Sequence, residues 1–345
     1  MHFGSDNTSG VAPEILEALA RANAGYVPSY GADALTERVE ERLADLFETT
    51  LSVFLVGTGT AANSLGLAAI VRSHEAIFCH EASHIYWDEC GAPEFFCGGA
   101  KLMPVAGELG KLQPDALRHA LSFIRPGFHH QAQPAALSLS QLTEFGTAYR
   151  PAEIATLSAV ARERGMAVHM DGARFSNAVV STGASPAELT WKSGVDVLSF
   201  GASKNGAMGV EAVIVFDPDL VGDLPSLRKR SGQLFSKGRF LAAQMDAYLE
   251  GDLWRRHAIH ANAMAGQLEE GLRDIPGVEI SYPVEGNEVF CVLPDELDRR
   301  LKEAGAVYHP WHAPGDTMPG DKVRFVTSFA TRPEDVDMLL EIAGN

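Results

Sequence analysis

The sequence predicts an α/β fold: a doubly wound, mostly parallel sheet of about seven strands, followed by a smaller C-terminal α+β domain. Three observations lead there. Short apolar runs of strand length recur through the first two-thirds of the chain, helix-length stretches separate most of them, and the texture changes after about Leu241. The expected division is a large domain over 1–246, its N-terminal segment reaching the active site, and a small domain over 247–345.

Taken in order, Pro13 to about Asn23 is an amphipathic helix with Ile15, Leu16 and Leu19 on one face. Thr36–Phe47 is a second, carrying Val39, Leu43, Leu46 and Phe47 at helical spacing. Buried parallel strands are expected at Ser52–Val56, Ala76–Cys79, Lys101–Val105, Ala135–Leu139, Ala167–Met170, Val195–Phe200 and Ala212–Phe216. Helices are expected between them at Ala61–Arg72, Pro114–Ile124, Pro151–Arg164 and Pro186–Ser193. Only about eleven residues separate the last two strands, too few for a parallel crossover, so one of the two runs antiparallel. Beyond them a long helix from Leu241 to about Asp274 precedes short strands near Val278–Ser281, Glu288–Val292 and Val323–Thr327.

Composition narrows the function. In 345 residues, 28 Lys and Arg face 45 Asp and Glu, a net charge of −17. So acidic a surface repels a phosphate backbone, which argues against nucleic-acid binding. No apolar run is long enough to span a membrane, and the polar start has no signal-peptide pattern. Four cysteines are too few for a disulfide framework. Cys79, His80, His84, Cys90 and Cys97 cluster in sequence, but without a Cys-x-x-Cys pair they match no zinc module, and no metal is expected. A cytoplasmic enzyme is the expectation.

The strand Val53–Val56 enters Gly57-Thr58-Gly59-Thr60-Ala61-Ala62-Asn63 and then a helix. Small residues at a helix N-terminus let a phosphate approach free N–H groups. The same string satisfies the dinucleotide fingerprint, with Glu81 about twenty residues on, so a nicotinamide-dependent dehydrogenase is a rival reading. Against it, the Thr58 and Thr60 hydroxyls suit a terminal phosphate monoester, and two helices precede this strand.

Two more strand ends carry chemistry. Val168-His169-Met170 ends in Asp171-Gly172-Ala173-Arg174, placing a carboxylate at the crevice where such sheets bind ligands. Val195–Phe200 ends in Gly201-Ala202-Ser203-Lys204, where burial makes the lysine more plausible as a titrating amine than as a surface charge. A phosphate site, a carboxylate for a pyridine nitrogen and an amine for a Schiff base are together what pyridoxal 5'-phosphate requires. A nicotinamide enzyme needs neither the Asp nor the Lys there.

With these motifs placed, the chain resembles the threonine aldolase (β-eliminating lyase) family of fold-type I pyridoxal phosphate enzymes. The resemblance runs through Ser5-Asp6-Asn7-Thr8, Ser29-Tyr30-Gly31-Ala32-Asp33, the Gly57–Asn63 turn, His84-Ile85-Tyr86, His169–Arg174, Ser203-Lys204-Asn205-Gly206 and Val323-Arg324-Phe325-Val326-Thr327. It implies that Lys204 carries the Schiff base, Asp171 pairs with the pyridine nitrogen, Arg174 sits near the phenolic oxygen, and Gly57, Thr58 and Gly59 hold the phosphate. It implies that His84 stacks on the ring, and that Ser5, Arg174 and Arg324 bind the substrate carboxylate. The implied reaction is retro-aldol cleavage of L-threonine, L-allo-threonine or related β-hydroxy-α-amino acids to glycine and an aldehyde. Phenylserine or another β-elimination substrate is the alternative. A homodimer or homotetramer is implied as well.

Two departures matter. Glu144 stands where many members have a histidine near the substrate hydroxyl, so His84, Glu144 or a water is the base. Many members also place an arginine on the phosphate across a subunit interface; here Lys237, Arg228 or Arg230 takes that place. The loops around Tyr30, Tyr86-Trp87 and 123–130 are the expected substrate-pocket lining.

Overall fold

The structure, a computed structural model, describes residues 1–344. In chain order the strands of the first part are β1 (Ser52–Val56), β2 (Glu75–His80) and β3 (Lys101–Val105), then a small hairpin of β4 (Gly107–Glu108) and β5 (Lys111–Leu112). They continue with β6 (Gln133–Ser140), β7 (Ala167–Gly172), β8 (Val197–Gly201) and β9 (Glu211–Val215). Apart from the hairpin they form one seven-stranded sheet, ordered β1-β9-β8-β7-β6-β2-β3. The pairs from β3 to β8 are parallel, and β9 is antiparallel to both β8 and β1. The reversed strand is therefore β9, and its short return keeps the turn after β8 at the sheet edge where the other strands end. β8 and β9 are buried along their whole length, which is why they read as unbroken apolar runs.

The helices differ from expectation in instructive places. The one expected from Ala61 begins at Gly59, because the Thr58 hydroxyl accepts the Ala61 N–H at 3.2 Å and caps it. Pro186–Ser193 is turns and a single 3₁₀ turn at Trp191–Ser193. There the Thr190 hydroxyl donates to Pro186 O and the Ser193 hydroxyl to Glu188 O. Short helices at His84–Trp87, Ala92–Phe96, Phe175–Thr182 and Leu224–Arg230 lacked the length for a readable period. The long helix is two, Arg239–Leu249 and Leu253–Arg273, broken where Gly251 and Asp252 adopt φ of 55° and 56°.

The C-terminal sheet is antiparallel: β10 (Glu279–Ile280), β11 (Glu288–Val292), β12 (His309–Trp311) and β13 (Lys322–Val326), in the order β10-β11-β13-β12. Its core packs Val289 and Phe325 against Leu268, Leu272 and Leu339 of the flanking helices. Phe3 belongs to this core, its N–H donating to Val307 O and its C=O accepting from Val326 N, both at 2.8 Å. That pinning carries the N-terminal segment onto the small sheet and brings Ser5, Asp6 and Asn7 to the crevice. Among the described residues, no helix is long and apolar enough to cross a membrane.

Candidate active site

At the edge where the parallel strands end, a cavity of about 370 Å³ is lined by residues 57–60, Asn63, His84, Glu144, Asp171, Arg174 and Lys204, among others. A second compartment of about 600 Å³ shares Asn7, His84, Glu144, Arg174 and Lys204 with it and adds Ser5, Trp87, Trp311, His312 and Arg324. Volumes of this size suit a small ligand and a substrate side chain.

The glycine-rich turn opens the Gly59–Ile70 helix, so the Gly59 and Thr60 amides precede the first intrahelical bond and are available to an anion. A side chain on Gly59 would meet nothing within 4 Å, so the turn faces open space. Gly57 is held from behind, its N–H donating to Gln233 Oε1 at 2.9 Å.

Asp171, at the end of β7, accepts the Ala173 N–H on Oδ1 at 3.0 Å and the Asn63 amide on Oδ2 at 2.8 Å. No lysine or arginine pairs with it among the described residues. The same Asn63 nitrogen donates to Glu89 Oε1 at 2.8 Å, and that oxygen lies 2.8 Å from His84 Nδ1. Burial pulls the His84 pKa down, but the Glu89 hydrogen bond and the Asp171 and Glu89 charges leave it raised. His169, quoted with Asp171 in sequence, serves differently: fully buried between Ser138 and Ser199, it is pushed down to about 4 by desolvation.

Lys204 occupies a 3₁₀ turn after β8, closed by Gly206 at φ 114°. Its amine has no hydrogen-bonded partner among the described residues. The Arg174 charge, then burial, lower its pKa. Arg174 is gripped by Asp6 at 2.8 and 3.1 Å and lies 3.5 Å from Glu288. Arg324 approaches the same Glu288 oxygen at 3.5 Å and stacks 4.8 Å from the Trp311 ring centre. Behind the lysine turn, Glu211 Oε2 accepts the Ala202 N–H at 2.7 Å, and burial raises its pKa to about 7.

Glu144 sits in the loop after β6, its Oε1 accepting from the His84 N–H at 2.8 Å and from the Ser140 hydroxyl at 2.7 Å. Its other oxygen is buried without a partner. Desolvation lifts its pKa to about 7, placing an acid–base group near neutrality beside both compartments.

The structure thus brings together Gly57, Thr58, Gly59, His84, Glu144, Asp171, Arg174, Lys204, Ser5 and Arg324. Ser5 also caps the turn that follows it, accepting the Asn7 N–H at 3.1 Å. Lys237 lies in an exposed turn and Arg230 is exposed, and neither lines the cavity of its own chain. Arg228 and Tyr30 line a separate pocket, and the 123–130 segment lines neither compartment. Sequence reasoning missed Asn63, Glu89, Glu211 and Glu288, and gave Asp6 no role. Asn63 and Asp6 stood inside quoted motifs, and Glu89 follows His84 by five residues; Glu288 reads only as one more residue of an apolar strand. The dinucleotide reading fails on Glu81, which lines neither compartment and lies against Gly315.

One crevice of this α/β fold thus holds an amine of lowered pKa, a carboxylate without a paired cation and the open start of a helix. Residues 2–296 match the beta-eliminating lyase family model, and the chain belongs to that family. It is 44% identical over 341 residues to a low specificity L-threonine aldolase of Pseudomonas aeruginosa, covering 99% of this chain and 95% of that one. It is 43% identical over 329 residues to a protein of the same name from Pseudomonas sp. strain NCIMB 10558, covering 95% and 93%. The fold matches the Leishmania major threonine aldolase structure with a TM-score of 0.91 at 27% identity, covering 99% and 98% of the two chains.

Proposed function

We propose that this protein cleaves L-threonine, L-allo-threonine and related β-hydroxy-α-amino acids to glycine and an aldehyde, with pyridoxal 5'-phosphate as cofactor. One observation carries the reading: Lys204, Asp171, His84, Glu144 and the Gly57–Thr60 turn line a single cavity in a member of the lyase family. The residues fit the cofactor. Lys204 has an unpartnered amine, Asp171 a carboxylate without a cation, and Gly59 open space before a helix start.

Lys204 would hold the aldehyde carbon, Asp171 the ring nitrogen, and Gly57, Thr58 and Gly59 the phosphate, with Arg174 at the ring's edge. When bound, the cofactor supplies an electron sink for the pair released at the substrate α-carbon. Arg324 and Ser5 bind the α-carboxylate, a task suited to a guanidinium already oriented by Trp311 and Glu288. Which bond breaks depends on the orientation that this clamp imposes. His84 takes the β-hydroxyl proton, so the carbon–carbon bond opens as the aldehyde carbonyl forms. Glu144, gripping the His84 amide, keeps that ring at the boundary of the two compartments.

The test is a panel of L-threonine, L-allo-threonine and L-phenylserine given to the cofactor-loaded protein, with aldehyde release followed. Release from either threonine isomer is expected; silence from all three ends the reading. The roomy compartment with Trp87, Trp311 and His312 favours phenylserine-type substrates as a second reading, and the same panel ranks the two. We further propose a cytoplasmic homo-oligomer in which Lys237, Arg228 or Arg230 reaches a neighbouring site. The exposed Tyr26, Phe95, Trp87 and Phe235 support the contact, and the four free thiols suit a reducing compartment. Sedimentation gives the subunit number.

A further inference from the structure

We propose that Glu89 is a positioning residue that holds His84 with Nδ1–H turned inward and Nε2 presented to the cavity, while Asn63 ties this pair to Asp171. The part played by His84 in the reaction rests on the aldolase reading; how the ring is held does not.

The Glu89 side chain is fully buried, whereas the His84 side chain keeps 39% of its surface exposed. The histidine therefore has one end in the protein and the other at the cavity. Glu89 Oε1 meets two nitrogens at 2.8 Å, His84 Nδ1 and Asn63 Nδ2. An amide nitrogen carries two hydrogens, and Asn63 uses the second on Asp171 Oδ2 at 2.8 Å. One asparagine thus bridges two carboxyl groups, and the reactive atoms of His84, Glu89 and Asp171 lie within 4.8 Å of one another. Glu89 Oε2 and Asn63 Oδ1 are buried without partners, so the cluster is rich in acceptors and poor in protons.

The His84 ring supplies the missing donor. Burial and the Asp171 charge raise the Glu89 pKa while the His84 and Asn63 hydrogen bonds pull it back. In its ionised form Glu89 only accepts, so Nδ1 carries the hydrogen, and in the neutral ring the lone pair is then on Nε2. The groups facing this ring are Glu89 and Asp88 from its own loop, Asp171 from the end of β7, Lys204 and Arg174 across the cavity, and Glu144 on its backbone. When Nε2 accepts a proton, the imidazolium charge forms 2.8 Å from Glu89. A carboxylate in that place makes the ring a stronger base and fixes which nitrogen does the work.

Nitrogen NMR of the imidazole rings in the full-length, cofactor-loaded protein tests this, with the His84 signals identified by their loss in His84→Asn. The neutral wild-type ring is expected to carry its proton on Nδ1. Glu89→Gln is expected to move the titration midpoint to lower pH and the acid limb of kcat/KM with it, lowering kcat about tenfold or more. Glu89→Asp is expected to return the midpoint toward wild type. A proton found on Nε2 in the wild-type ring, or an unmoved midpoint in Glu89→Gln, overturns the proposal. The wild-type spectrum decides the tautomer even where a Glu89 variant does not fold. Absence of aldehyde release by the wild-type protein, by contrast, removes the aldolase reading and leaves the tautomer result intact.

Discussion

The two walls of the cavity carry charge in different ways. On one, His84, Glu89, Asp171 and Glu144 gather around Asn63 and Ser140, and the pKa values of His84, Glu89 and Glu144 are all raised. On the other, Arg174 and Arg324 share Glu288, and Asp6 closes the chain with a two-pronged grip on Arg174. Arginines do not deprotonate in proteins, so Arg174 and Arg324 stay positive at any working pH. Lys204 lies between them, its pKa lowered first by Arg174 and then by burial, against Asp6, Asp171 and Glu288. The contrast teaches how the proposed chemistry would divide: one wall is equipped to move protons and the other to hold anions in place.

Variants separate the two walls, starting with the residue that serves both. Lys204→Ala is expected to lose the visible absorbance of the bound cofactor and to lower kcat by about 10⁴-fold or more, checked by spectrum and aldehyde release. On the proton-moving wall, His84→Asn is expected to lower kcat by about 10²–10⁴-fold, with Glu144→Gln costing less. Near-normal turnover in His84→Asn with loss in Glu144→Gln would transfer the base to Glu144. Because His84 must be neutral to accept a proton, and its pKa is raised, the wild-type acid limb is expected above that of a free imidazole.

On the fixed wall, Arg324→Ala is expected to lower kcat/KM about 100-fold, mainly through KM. Its acid limb should stay where the wild type has it; movement there would show that the walls are not independent. The smallest expected effect is on stability. The Glu211 pKa rises from 4.5 to about 7 on folding, so the folded state holds a proton that the unfolded chain gives up over that range. Stability therefore falls between those two values and levels off above them. Glu211→Gln keeps an acceptor for the Ala202 N–H and is expected to remove that fall, worth about 3 kcal/mol at most. Urea unfolding at pH 5 and pH 8 reads the difference.

Legibility divides along the same line. Gly57–Asn63 follows a buried strand, Asp171 lies at the end of another and Lys204 comes three residues after a third, so a strand pattern and a few adjoining residues suffice to find them. Arg174 was legible beside Asp171, but its partner Asp6 lies 168 residues away. Asn287 donates to the same Asp6 at 3.2 Å across 281 residues, a contact to which no local pattern points. Glu288 looked like part of an apolar strand, yet its carboxylate is what spaces the two arginines. The 123–130 segment, aromatic and histidine-rich, was expected at the substrate and instead lines neither compartment. The break in the long helix falls at Glu-Gly-Asp, where an extended Glu250 ends the first helix and the left-handed Gly251 and Asp252 turn the chain into the second.

From residue order alone came the layered α/β plan, the reversal of one of two strands, the glycine-rich turn before a helix and the presence of one carboxylate and one amine at neighbouring strand ends. Those are consequences of period, length and the cost of burying charge, all local quantities. The folded chain decided which groups share a proton or a counter-ion: Glu89 with His84, Asp6 with Arg174, and Glu288 with Arg174 and Arg324. Electrostatic coupling depends on separation in space and on exclusion of water, and neither exists until the strand ends, the N-terminal segment and the small sheet have closed on one crevice.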